Sequence, residues 1–386
     1  MKTKNILLSL LFGLLLLVVL LQLVVLLLLP LIKLDTFVNF GSHGFVNFGS
    51  HDFVNFGLHA LVISGFKSRF YSSNTQSSDL QPNIKQNNNS KASLVPWFIT
   101  GFADAEATFS ASIVKNDQSR LGWRILVAFS IHLHKKDEEL LNLIQLYFGR
   151  GNIYKGGKDS LVFKIVDIKQ IINTVISHFD KFPLQTQKKA DFELFKRIVE
   201  IMHLKEHLQS NGLQKIVNLK ASLNFGISED LKAIFPKIDP VPRPLVEYSE
   251  LPHPQWLAGF VSGEGCFTSN LKKSSAYKTG SQVLVRFSLT QHSRDEQLLK
   301  SLENYLGCGR VYIRNDADSV EFIVYKLSDL VKKILPFFQE HPILGIKSND
   351  FHDWCKICEI MEAKKHLTCE GLAQIRELRA GMNRGR

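Results

Sequence analysis

The sequence predicts an α+β protein built from two pseudo-symmetric copies of one domain, and three observations carry that expectation. Sliding the chain against itself brings Pro96 onto Pro254, then Gly101, Phe102, Glu106 and Phe109 onto Gly259, Phe260, Glu264 and Phe267. Phe129-Ser130, His134, Tyr147, Gly149 and Gly151 meet Phe287-Ser288, His292, Tyr305, Gly307 and Gly309 in the same register. One inserted residue later, Pro183, Lys188, Asp191 and Phe192 fall on Pro342, Lys347, Asp350 and Phe351. Matches spread along most of each copy at nearly one spacing define an internal duplication. Within each copy, the second observation, the apolar period alternates between that of a strand and that of a helix. The third is supply: 386 residues, 45% of them hydrophobic, suffice for more than one core.

Each copy opens on a short helix, Ile99-Thr-Gly-Phe-Ala-Asp-Ala-Glu-Ala107 in the first and Leu257-Ala-Gly-Phe-Val-Ser-Gly-Glu-Gly265 in the second. After Glu106 the run Thr108 to Ile113 alternates small polar with apolar groups, and Arg124 to His132 fits the same period of two, so a strand pair is expected. Lys135 to Phe148 then changes to helical spacing, with Leu140, Leu141, Ile144 and Tyr147 or Phe148 on one side, and Asp295 to Leu306 repeats it. A second strand pair and further helices complete the copy. The expected divisions are 94–226 and 254–386, joined by a Pro-rich linker at 227–253 that holds Pro236, Pro240, Pro242, Pro244 and Pro252.

The amino-terminal part takes no part in the duplication. Residues 6–29 are almost wholly apolar, with Lys2 and Lys4 ahead and Lys33 behind, so 1–35 reads as a membrane-spanning or targeting segment. Residues 36–93 hold three copies of an eight-residue unit (Phe37, Phe45 and Phe53 each begin Phe-Val-Asn-Phe-Gly) and then a Ser-, Asn- and Gln-rich linker, disordered by composition.

A net charge of +11 calls for a polyanionic partner, nucleic acid or an anionic membrane surface, without choosing between them. Five cysteines without regular spacing give no disulfide framework, which fits a reducing compartment. Cys355 and Cys358 form a CxxC within a segment that reads as helical, and no second ligand pair follows at zinc-finger spacing; they are expected as core thiols.

Chemistry concentrates in the opening helices. Gly101 with Ala105, and Gly259 with Gly263, recur four apart and leave one helix stripe without bulk, so two backbones can approach closely there. If the copies pair through these stripes, Glu106 and Glu264 emerge side by side. Two carboxylates so placed repel, which makes a shared divalent cation with hard oxygen ligands a natural outcome. Asp104 lies two residues, roughly 200°, around the helix from Glu106 and is expected in a surface or capping role.

These paired helices, and the text Trp256-Leu-Ala-Gly-Phe-Val-Ser-Gly-Glu-Gly-Cys-Phe267 around the second, resemble the two motifs of single-chain LAGLIDADG homing endonucleases of the mitochondrial intron-encoded type. The likeness runs from about residue 94 to the ending Met382-Asn-Arg-Gly-Arg386. It implies two αββαββα domains, each with a four-stranded antiparallel sheet in the DNA major groove, and a monomer that makes a staggered double-strand break with 3′ overhangs. It implies Mg²⁺ (Mn²⁺ as substitute) at Glu106 and Glu264, with Ala105 and Gly263 as further metal contacts. Lys188 and Lys347 are implied near the scissile phosphates, and Gln291 near the water network; its counterpart Leu133 departs from the pattern. Ala107 likewise replaces the glycine usual after the acid.

On the same resemblance, alternate strand positions face the DNA. These are Thr108, Ser110, Ser112, Arg124, Ser130 and His132 in the first copy. In the second they are Thr268, Asn270, Lys272, Gln282, Arg286, Ser288 and Thr290. Arg124, Asn270, Lys272, Gln282 and Arg286 carry the donors for direct readout. An RNA maturase on the same fold, assisting splicing of its host intron, is the alternative, and the apolar amino end leaves a membrane-tethered protein as a third reading.

Overall fold

A computed structural model describes residues 94–386, apart from 249, 252, 315–317 and 384–386. The apolar run, the eight-residue repeat and the polar stretch that follows lie outside the described residues. Helix α1 (Pro96–Glu106) starts on a proline, whose missing N–H would have no partner in a first turn anyway. It ends where Ala107 turns extended. Strands β1 (Ala107–Lys115) and β2 (Trp123–His134) pair antiparallel with Phe109 opposite Phe129. Helix α2 (Glu138–Phe148) stops at Gly149, whose φ of 62° is left-handed backbone that a Cβ disfavours. Strands β3 (Asn152–Lys155) and β4 (Ser160–Ile165) complete a sheet in the order β1-β2-β4-β3. Short helical segments then lead to α3 (Lys188–His203) and α4 (Ser210–Ser222).

The second half repeats this with α5 (Pro254–Glu264), β5 (Gly265–Lys273), β6 (Ser281–His292), α6 (Glu296–Leu306), β7 (Arg310–Arg314), β8 (Ser319–Val324), α7 (Lys347–Glu362) and α8 (Cys369–Ala380). Its sheet has the order β5-β6-β8-β7. Both sheets, four-stranded among the described residues, are antiparallel throughout. The strand boundaries exceed the sequence expectation by one or two residues, because backbone pairing continues past the last strictly alternating side chain.

Alternation decides which sheet face is buried. Ala107, Phe109, Ala111 and Ile113 point to the helices, while Thr108, Ser110, Ser112 and Val114 point away. Phe109 sits at the centre of the first core, with ring centroids 5.4 Å from Phe129 and Phe179, 5.3 Å from Phe192 and 5.5 Å from Phe195. Phe267 does the same in the second half, 5.2 Å from Phe287 and Trp354. Each such buried ring contributes roughly 1.5–3 kcal/mol by leaving water, so these clusters hold the sheets on their helices. Cys355 and Cys358 are buried among apolar neighbours of this second core, as thiols packed on α7.

The segment after α4 is strapped to the first half. A short helix, Glu229–Ile234, precedes Phe235, whose ring lies 5.2 Å from Trp123. Ser222 Oγ donates to the Val241 carbonyl at 2.6 Å, and Arg243 clamps Asp191 with both terminal nitrogens at 2.8 and 2.7 Å. Bidentate pairing of this kind fixes direction as well as attraction.

Candidate catalytic centre and nucleic-acid face

The two opening helices cross where side chains are missing. A Cβ on Gly101 would collide with the backbone carbonyl of Trp256, one on Gly259 with that of Phe98, and one on Gly263 with the side chain of Ala105. Backbone-to-backbone contact at the first two points, and a backbone against the Ala105 methyl at the third, make α1 and α5 a single packed pair. Around it, Trp97 and Ala105 of the first half touch the second core while Ala258 lies in the first. Trp256 also reaches across, its Nε1 donating to Asp104 at 2.8 Å.

Both acids emerge at the same end of this pair, Glu106 beside Gly263 and each within electrostatic reach of Lys188 and Lys347. Burial pushes the Glu106 carboxyl above its ordinary range, opposed by the Lys347 and Lys188 charges and aided by Asp137. Glu264 is pushed up to about 7 by burial and then by the neighbouring Glu106, against the two lysines and a hydrogen bond from Gln291. The lysines move the other way, their ammonium groups depressed by burial and partly restored by the acids around them. Lys188 opens α3 and its Nζ donates to the carbonyls of Ala103 and Ala105 at 3.0 and 3.1 Å; Lys347 opens α7 and bonds the Gly263 carbonyl.

Four of the five residues expected at the catalytic centre (Glu106, Glu264, Lys188, Lys347) thus lie at one end of the helix pair, and Gln291 joins them through Glu264. Leu133 lines the Glu106 side instead, in a cavity of about 210 Å³ that also takes in Glu106, His132, His134, Asp137 and Lys347. The two sides of the centre therefore differ: an amide stands against one acid and an apolar side chain against the other. Ala105 and Gly263, expected as metal contacts, present carbonyls that already accept from the lysine ammoniums. A divalent ion would share those oxygens with the lysines. The acid pair itself fits a hard cation, since two desolvated carboxylates with raised pKa values are what a divalent charge relieves.

Asp104 corrects the surface part of its expectation. It is buried, with a carboxyl raised by desolvation but held by Gln185 N–H at 2.9 Å, Thr186 N–H at 3.1 Å and Thr186 Oγ1 at 2.6 Å in addition to Trp256. It caps the approach to α3, and so positions Lys188. Ser262, its counterpart, accepts from the Leu344 N–H at 3.1 Å just before α7.

The polar sheet faces carry the residues expected against DNA. Ser112, Arg124, Asn270 and Lys272 are exposed, while Thr108, Ser110, His132, Thr268, Gln282, Arg286 and Thr290 are half-buried. Ser130 and Ser288 differ from expectation: they lie on the right face but are 4% and 2% exposed, because central-strand neighbours on both sides cover a side chain that short. Arg286 leans along the sheet to Glu321 at 3.7 Å and keeps a buried Nε without a protein partner. The inner strands β4 and β8 add groups that were not among the expected DNA-facing residues. Lys164 lies between Ser130 and Asn152 in one cross-strand row, and Glu321 between Thr290 and Tyr312 in another. Alternation in Phe163-Lys164-Ile165 and in Val320-Glu321-Phe322 was the available signal.

An internally duplicated chain that closes two polar sheets around one shared pair of helix-end acids is a single-chain pseudodimer. Residues 99–199 and 257–358 each match the LAGLIDADG endonuclease model, and the chain belongs to that family. It is 37% identical over 289 residues to a probable intron-encoded endonuclease 3 of Neurospora crassa, covering 74% of this chain and 54% of the relative. It is 40% identical over 300 residues to a probable intron-encoded endonuclease 2 of the same fungus, covering 75% and 65%. The chain thus spans between about half and two thirds of the length of these two relatives. A solved structure of the I-SmaMI LAGLIDADG homing endonuclease bound to cleaved DNA superposes with a TM-score of 0.75 at 45% identity, covering 76% of this chain and 98% of that one. Another holds I-SmaMI on an uncleaved DNA target in the presence of calcium ions, with a TM-score of 0.74 at 45% identity and coverage of 75% and 99%.

Proposed function

We propose that the chain is a site-specific homing endonuclease that hydrolyses one phosphodiester in each strand of a long duplex target, leaving 3′ overhangs and promoting intron mobility. The observation that carries this reading is the pairing of Glu106 and Glu264 at one end of the helix pair, between two half-buried lysines and beside two polar sheets. Glu106 and Glu264 would hold Mg²⁺, or Mn²⁺ in its place. Such an ion, when bound, supplies charge to a scissile phosphate and a more acidic water. Lys188 and Lys347 place a positive charge where charge develops on the phosphorane, and Gln291 orients the Glu264 carboxylate.

Recognition falls to the sheets. Lys272 and Arg124 are exposed cations suited to phosphates or base edges, Asn270 and Gln282 to adenine, and Arg286 to guanine. Val114 and Leu126, exposed and apolar on the first sheet, suit thymine methyls. A monomer acting in the mitochondrion belongs to the same reading, with host intron RNA as a second partner in a maturase role. Presence of both acids at one centre favours cleavage over splicing assistance alone.

The test is to select cut molecules from a randomised duplex pool with Mg²⁺ and to compare Glu106→Gln and Glu264→Gln on the recovered site. Both variants should bind the duplex and fail to cut it. Cleavage at parental speed by either folded variant would contradict the proposal.

A further inference from the structure

Each lysine helix is anchored by the opposite half of the molecule. Asp137, just before α2 in the first half, accepts the N–H of Ile346 at 2.6 Å, and Ile346 is the residue before Lys347. Asp295, its counterpart in the second half, accepts the N–H of Gln187 at 2.7 Å, and Gln187 is the residue before Lys188. These bonds join residues 209 and 108 positions apart in the chain. The second anchor is reinforced from the connecting segment: Tyr248 Oη donates to Asp295 at 2.8 Å and accepts from Gln187 Nε2 at 2.9 Å. Asp295 is 2% exposed, so its carboxylate is committed to these partners, whereas Asp137 lines the cavity it shares with Glu106 and Lys347.

We infer that Asp137 and Asp295 are positioning residues that set Lys347 and Lys188 from across the pseudo-twofold axis, so that each half of the chain controls one of the two strand cuts made by the other. The inference rests on the nuclease reading above. A hydrogen bond to a helix-start N–H fixes the first turn, and with it the side chain that leaves that turn. Each lysine ammonium also sits on a carbonyl of its own motif helix, so the carboxylate anchor and the carbonyl together hold it at two points. Loss of the anchor frees the helix start, and displacement of a charged group by about 1 Å at a reacting phosphate is enough to slow a reaction about a hundredfold. Because Asp137 anchors the start of the Lys347 helix and Asp295 that of the Lys188 helix, the two losses should fall on different strands.

The experiment uses the full chain and a duplex recovered by selection, with each strand labelled separately, in single-turnover conditions with Mg²⁺. Asp137→Ala and Asp295→Ala should each accumulate nicked duplex, slowing opposite strands by about ten- to a hundredfold while duplex affinity changes little. Asp137→Asn and Asp295→Asn keep the acceptor oxygen and should restore both cuts. Tyr248→Phe, which leaves the fold and the carboxylate in place, should show the Asp295→Ala strand bias in weaker form and serves if the alanine variant does not fold. Equal slowing of both strands in every variant, or no slowing, would overturn the inference while leaving the nuclease reading intact. A parental chain that cuts no duplex would remove both.

Discussion

Glu264→Gln should make the metal-free protein more stable at pH 8 while ending cleavage. An unfolded glutamate titrates at about 4.5, and burial beside Glu106 raises the native carboxyl to about 7. Between these values the native state keeps a proton that the unfolded state has shed, so raising the pH through this window disfavours folding. At about 1.36 kcal/mol per pH unit, moving the carboxyl from about 4.5 to about 7 amounts to about 3 kcal/mol, fully developed above pH 7 and absent below about 4.5. Glutamine cannot ionise and escapes that loss while keeping the shape of the side chain and an oxygen for Gln291. Urea melts of parent and variant with a chelator present, from pH 5 to pH 8.5, give the test. The gap in unfolding free energy should be small at pH 5 and open towards about 3 kcal/mol at pH 8. Adding Mg²⁺ should close it from the parent's side, since a ligand bound only by the native state stabilises it. A gap that stays flat with pH, or a variant less stable than its parent at pH 8, would refute the claim that this carboxyl is held under electrostatic strain.

Other outcomes follow from the same geometry. Gly259→Val drives a branched side chain into the Phe98 carbonyl and should cost more than about 3 kcal/mol in urea melts, since backbone on the far side cannot yield as a side chain would. Lys188→Ala and Lys347→Ala should each lower single-turnover cleavage by about a hundredfold or more with little change in duplex affinity, the size expected for one lost charge-stabilising donor. Arg286→Ala should erase base preference at one position of one half-site at about 1–3 kcal/mol, whereas Lys272→Ala, if it contacts phosphate, should weaken all sites evenly and reduce the salt slope by about one. His178 is buried between Thr100 and Tyr147 and depressed to about 4, so its neutral form stabilises the fold above pH 6.5. That stability, up to about 3 kcal/mol, should fall away as pH drops towards 4. His178→Phe, which copies Phe337 at the equivalent place, should remove this acid dependence in melts.

Much of this molecule is written in the local order of its residues. The duplication, the glycine stripe of each opening helix, and the outward row Thr108, Ser110 and Ser112 follow from spacings of four and two along one strand or helix, and such spacings hold whatever lies opposite. Leu140, Leu141, Ile144 and Phe148 are buried as their helical period required. What lies opposite is not written there. Asp104 turns away from Glu106 as its helical angle demands, yet the space it turns into is filled by Thr186 and by Trp256 from the other half, so a presumed surface acid becomes a buried cap. Ser130 and Ser288 point outward as predicted, but flanking strands cover them. The Asp137 and Asp295 anchors join backbone N–H groups to carboxylates across the duplication, and no period in either segment announces the partner. Hydrophobic periodicity is a property of one element seen from its own axis; burial, proton affinity and long-range hydrogen bonds depend on which second element arrives, and that is fixed only when the two halves close on each other.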